Sequence, residues 1–265
     1  MALFTDELVT QVSDLLAYES NLGEISAAEG IDLDIKIHLA HTEVGAKLDA
    51  ASRRPGNVFF PGGGGRTLGT GGATQGRFEL NEVVVTPPLK LTHTFQTLSI
   101  VYRDAYNRKL NDKYLPKWRE YKELARWAWD LLAQTGIGVS SAPIPRAKAP
   151  ALDWVSSMLT LVPLFVSMTW VGPQGAEGAG SAEQAIAIPP GNTLRVMPAA
   201  GSESAVGWNV YVGESSGSLT RQNAAPIAVG ATWTLPASGL VAGEELGAGQ
   251  APDLFKTAPR FSQRG

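Results

Sequence analysis

Residues 142–150 read Ala-Pro-Ile-Pro-Arg-Ala-Lys-Ala-Pro, three prolines in nine positions, and the chain changes character across them. Proline lacks an amide proton and fixes φ, so the segment suits neither a helix interior nor a β ladder; it predicts an extended, semi-rigid spacer. Upstream, charged and aromatic residues recur at helical spacing. Downstream, Gly, Ser, Thr and Pro punctuate short alternating runs such as Trp208-Asn-Val-Tyr-Val212. A chain of 265 residues accommodates two ordinary domains, and this break says where to divide them.

The expected fold class is therefore multidomain, α then β: an N-terminal helical bundle over residues 1–141, a Pro-rich linker at 142–151, an antiparallel β-sandwich over 152–253, and an extended tail at 254–265. Leu8, Val12, Leu15 and Leu16 place a short helix within 4–18, and Leu33, Ile37, Ala40, Val44 and Leu48 place a longer one over 32–53. Pro87 and Pro88 suit a helix start. Leu91, Phe95, Leu98, Tyr102 and Ala105 then share one face, and Tyr114, Trp118, Tyr121, Ala125, Ala128 and Leu132 share another up to Gly136. The break around Asn111 and Pro116 leaves two arrangements open, an antiparallel hairpin or one long kinked helix. Beyond the linker, runs at 165–171, 184–188, 193–197, 208–212 and 231–235 read as strands between turns. The last twelve residues are mostly polar, with Phe255 and Phe261 as their only aromatic side chains, so the tail is expected to stay unpacked and available for docking.

Charge excludes a strongly basic nucleic-acid binder. Residues 1–150 hold 17 Lys and Arg against 17 Asp and Glu, and the remainder 5 against 8, giving the net charge of −3. With no cysteine, disulfides and thiolate metal sites are excluded. The first residues lack a secretory pattern, and the apolar stretch 149–172 is interrupted by Pro163 and diluted by Ser and Thr, so no membrane association is expected. Eight glycines in residues 61–76 predict a long loop; the spacing around Arg66 matches no phosphate-binding pattern.

Candidate chemistry is sparse. His38 and His41, with Asp34 one turn earlier, have a spacing that could hold a divalent metal, but His93 lies on another helix and a solvated helix face explains the pair as well. No metal or cofactor is expected, and no nucleophile, base and metal set converges, which argues against an enzyme. Residues 103–126 carry eight basic and four acidic side chains. Within that excess Lys113, Lys117, Arg119, Lys122 and Arg126 are candidates for DNA-channel or inter-subunit charges, the latter being the commoner use. Trp118, Trp127 and Trp129 crowd one helix; Trp127 and Trp129 sit at the edges of its apolar face and are candidate inter-subunit aromatics.

Residues 89–121, including Tyr102-Arg-Asp-Ala-Tyr106 and Tyr114-Leu-Pro-Lys-Trp-Arg-Glu-Tyr121, resemble the helical region of tailed-bacteriophage head-to-tail connector proteins, also called adaptors. Val166-Ser-Met-Thr-Trp-Val171 and Gly207-Trp-Asn-Val-Tyr-Val-Gly213 look like the fibronectin type III-like modules that phages append to virion proteins. The resemblance implies a structural virion protein of the neck, made in the host cytoplasm. It implies a ring of roughly twelve copies beneath the portal protein, meeting tail or tail-completion proteins, with packaged DNA passing through without sequence-specific contact. The alternative is a tail or baseplate protein whose sandwich binds the host surface.

Overall fold

The computed structural model describes residues 1–53, 58–59, 77–109, 112–157 and 163–257, with the backbone alone at 58, 59 and 109. The glycine-rich run 61–76 and Phe261 lie outside the described residues. Five helices come first: α1 (Val12–Tyr18), α2 (Leu22–Glu29), α3 (Leu33–Ser52), α4 (Pro87–Lys109) and α5 (Leu115–Thr135). The strands are β1 (Val58–Phe59), β2 (Ile137–Val139), β3 (Ala151–Ser156), β4 (Leu164–Val171), β5 (Gln184–Ile186), β6 (Asn192–Met197), β7 (Gly207–Gly213), β8 (Thr220–Arg221), β9 (Ile227–Ala228), β10 (Trp233–Thr234) and β11 (Leu254–Lys256). A helical half followed by antiparallel sheets is what the composition break predicts.

The two compact units do not divide the chain at the linker alone. One consists of Glu7–Ser141 together with the chain from Pro252; the other consists of Met1–Asp6 and Ala142–Ala251. Each terminus thus belongs to the unit built mainly from the far half of the sequence.

In the helical unit, Asp32 caps α3 by accepting a hydrogen bond from the Ile35 amide at 3.1 Å, and Ile37, Ala40, Val44 and Leu48 run down its buried face. α4 and α5 form the antiparallel hairpin rather than the kinked helix. Tyr102 stacks on Tyr121 with centroids 5.4 Å apart and Tyr106 on Trp118 at 5.7 Å, so residues advancing along one helix meet residues receding along the other. The helix expected over 4–18 starts only at Val12, and α2 was not foreseen. Leu3 and Phe4 are each 2% exposed within the β unit, and the Leu3 amide is tied to the Asp6 carboxylate, so the first residues are held there and unavailable to a helix.

The expectation of an unpacked tail fails at β11. This strand is the middle one of a three-stranded antiparallel sheet, between β1 and β2, with Phe255 opposite Phe59 on one side and Gly138 on the other. Just before it, the Asp253 carboxylate accepts the Ser141 amide at 3.0 Å and the Ser141 hydroxyl. Lys256 is buried, and its ammonium donates to the Ser52 carbonyl at 2.9 Å, at the electronegative end of α3, and lies 5.2 Å from the Phe78 ring. Gly138 permits the approach: a Cβ there would sit 2.9 Å from Thr86 Cγ2 and 3.0 Å from Pro252.

In the β unit one sheet runs β5-β4-β7-β8 with β9 beside β7, and the other runs β10-β6-β3. Val166, Met168 and Trp170 of β4, Trp208, Val210 and Val212 of β7, and Leu194 and Val196 of β6 share one core. The alternation in β4 predicts one buried face, yet Ser167, Thr169, Asn209 and Tyr211 on the other face are buried too, because residues 176–183 lie over them. Residues 142–150 are not a free spacer. Ile144 and Ala147 are in the core, Gln250 bonds the Ile144 amide and the Ala142 carbonyl, and Arg146 reaches the Gly180 carbonyl. The prolines make the segment extended, and its apolar residues then pack. β3, also missed, pairs with β6 along its whole length.

Candidate functional site: a cationic aromatic cleft on the helical unit

Three helices of the helical unit converge on a cleft of about 880 Å³. α3 contributes Lys47; α4 contributes Gln96, Ser99 and Arg103; α5 contributes Trp118, Lys122, Ala125, Arg126, Trp129 and Asp130. Each position follows from helical spacing: 118, 122, 125, 126 and 129 fall on one flank of α5, beside the stripe of Tyr121, Ala128 and Leu132 that enters the core. The Lys47 ammonium lies 5.8 Å over the Trp129 ring and donates to Gln96 Oε1 at 3.0 Å, and Lys122 lies 6.0 Å over Trp118. Glu43 receives Gln96 at 2.6 Å and Arg103 at 3.8 Å. The lining thus holds four cations and one carboxylate against two indoles. That combination suits an anionic group carried beside an apolar one.

The sequence candidates divide. Lys122 and Arg126 line the cleft and are exposed. Arg119 is exposed outside it. Lys113 lies over the Tyr114 ring at 4.6 Å. Lys117 is committed within the unit, 3.0 Å from Glu19 and 3.5 Å from Glu120; the Glu19 hydrogen bond holds its ammonium above the ordinary lysine range. Burial alone would raise the Glu19 carboxyl, but bonds from Lys117 and Tyr121 outweigh it and hold it low; burial and that same carboxylate push the Tyr121 phenol up. Trp127 is 53% exposed and projects from the surface, whereas Trp129 is 8% exposed and forms part of the cleft wall. Phe255 is placed in β11 and is no free docking element.

Lys47 and Gln96 went unnoticed in the sequence because nothing local links α3 to α5; only the packing brings them together. The histidines also meet differently from expectation: His93 lies against His41, ring centroids 5.6 Å apart, and is fully buried with neither ring nitrogen hydrogen-bonded. Burial, with His41 beside it, lowers the His93 imidazole to about 3. Among the described residues no group of three or more His, Asp or Glu is placed to hold a metal ion.

A second polar constellation occupies the β unit. Glu177 accepts hydrogen bonds from Thr169 at 2.8 Å, Tyr211 at 2.7 Å and Asn209 at 2.5 Å, and faces Arg221 at 3.6 Å, which also pairs with Glu244 at 3.0 Å. Burial first, then Glu177, raises the Tyr211 phenol. A recess of about 260 Å³ lies beside it, lined by Glu177, Tyr211, Glu244 and Glu245. Both Glu177 oxygens are occupied by donors of its own unit, so the constellation welds 177 to the outer face of β4 and β7.

Compared with protein-family models, curated proteins and solved structures, the chain matches none. Among the described residues no helix is long and apolar enough to cross a membrane.

Proposed function

We propose that the chain is a structural virion protein, a head-to-tail connector that assembles as a ring, of roughly twelve copies, beneath the portal of a tailed bacteriophage. In this reading it extends the DNA channel and offers tail or tail-completion proteins a platform. The helical unit is an adaptor-like bundle, the two sheets form a fibronectin type III-like sandwich, and no reaction is catalysed. The observation that carries the reading is the α4–α5 hairpin, which has the residues of the connector resemblance and displays both an exposed indole and a cationic cleft. Such surfaces suit packing against other chains. Arg119, Lys122 and Arg126 are the cations best disposed to meet DNA or a neighbour, since Lys117 is neutralised by Glu19.

The test is negative-stain imaging of the purified chain, alone and mixed with portal from the same particle. Rings capping the portal are expected. A chain that ignores portal and instead binds tail assemblies or host envelope would make it a tail or baseplate protein. Trp154, 47% exposed on β3, favours that second reading, because exposed aromatics serve glycan and envelope contacts.

A further inference from the structure

The exposed Trp127 and the cleft occupy opposed flanks of one helix. At 100° per residue the cleft-lining positions 118, 122, 126 and 129 centre roughly 140° away from position 127 around the α5 axis, with the core-facing stripe between them on the other side. Trp127 projects beside Glu123, one turn earlier and also exposed. The cleft offers complementary chemistry. Its lining includes two buried small residues, Ser99 and Ala125, and two indoles, Trp118 and Trp129, and it carries Lys47, Arg103, Lys122 and Arg126.

We propose that the occupant of the cleft is a second copy of this chain, whose Trp127 enters between Trp118 and Trp129 while its Glu123 meets Lys122 and Arg126. An aromatic anchor entering a pocket ringed by charges of the opposite sign to its neighbour is the usual form of an energetic centre of an interface. Because the two patches face directions roughly 140° apart on α5, one neighbour does not engage both, and the contact is heterologous: a pair keeps one unused anchor and one unused cleft, so repetition gives a closed ring or an open filament rather than a two-fold dimer. A recess of this size receives a side chain or a short stretch of chain, whereas duplex DNA needs a continuous row of phosphate-facing cations; the favoured occupant is therefore protein. The inference deepens the ring assembly proposed above and rests on it for closure, but the pairing of the two patches is tested separately.

The experiment compares the full chain with two variants by mass photometry and sedimentation velocity. Trp127→Ala removes the anchor and keeps the cleft; Lys122→Glu with Arg126→Glu spoils the cleft and keeps the anchor. All three positions are exposed, and circular dichroism melts check that each variant is folded. The wild type is expected to form species larger than dimers, and each variant alone to need a roughly 30-fold or greater rise in concentration for association. Mixed one to one, the variants should give heterodimers and stop there, because each supplies the single patch the other lacks. Variants that assemble like the wild type would overturn the pairing while leaving the ring reading standing on another surface. Variants that fail to assemble and also fail to complement each other would overturn it too. A wild type that stays monomeric both alone and with portal would remove both readings. Wild-type-like assembly of the cleft variant, with loss of binding to a fluorescent single-stranded oligonucleotide, would reassign the cleft to nucleic acid.

Discussion

The two polar clusters of this protein differ in whether their charges are used up. Around Glu177 in the β unit, Thr169, Asn209, Tyr211 and Arg221 all point at one carboxylate, which has no oxygen left for a ligand. In the helical unit, Arg103 is paired with Glu43 and Lys47 is tied to Gln96, but Lys122 and Arg126 stand exposed in a cleft whose lining has Asp130 as its single carboxylate. The first cluster is closed and does structural work; the second is open and has electrostatic capacity to spare for a partner. Buried polar groups cost stability unless satisfied, while surface charges cost little either way, so the two should respond oppositely to mutation.

Four experiments would break or sharpen that contrast. The largest expected effect is the removal of the chain after Ala251, which strips the middle strand from between β1 and β2 and the Lys256 cap from the end of α3. Thermal melts should show the helical unit losing its cooperative transition while the β unit keeps its own; an unchanged helical transition would mean that β11 contributes little. Next, Glu177→Ala leaves several donors without an acceptor and should cost roughly 2–4 kcal/mol in denaturant unfolding of the β unit. A cost under about 0.5 kcal/mol would show that water replaces the carboxylate and that the cluster is not closed.

The third effect depends on pH. The His93 imidazole is lowered from 6.5 to about 3 by burial, so it is neutral when folded and takes up a proton more readily when unfolded. Its contribution to stability is complete above about pH 6.5 and is lost as pH falls toward 3, about 2 kcal/mol of it by pH 5. His93→Phe should flatten the helical unit's stability between pH 7 and pH 5; an equally steep fall in that variant would assign the acid sensitivity to other groups. The smallest effect is on the cleft. Lys122→Gln with Arg126→Gln should change monomer stability by no more than about 0.5 kcal/mol while weakening association, whereas a several-kcal/mol loss would show the cleft to be as closed as the Glu177 cluster.

Much of the local structure was legible. α3 appears nearly as its Leu33–Leu48 spacing and the Asp32 cap require, Pro87 and Pro88 open α4, Gly136 closes α5 with φ of 96°, and the runs at β4, β6 and β7 are strands. Half the candidate site is legible too, since the sequence pattern alone singles out Lys122, Arg126 and Trp129 on α5. The residues that complete it, Lys47 and Gln96, are not, and neither is the opposite fate of two tryptophans a single residue apart. Trp129 turns toward α3 and is buried under Lys47; Trp127 turns away.

By itself, the sequence determined what adjacent residues decide: helical or alternating periodicity, caps, breaks and the change of character at residues 142–150. Tertiary structure alone decided the membership of the two termini, the placing of Ile144 and Ala147 in a core, the middle position of β11, the meeting of His93 with His41 and the closure of a cleft by α3. The reason is one of range. A helix or strand is selected by contacts within a few residues, which any window of sequence displays, whereas Lys256 finds Ser52 across some two hundred residues, and that pairing depends on which surfaces the rest of the chain has left uncovered.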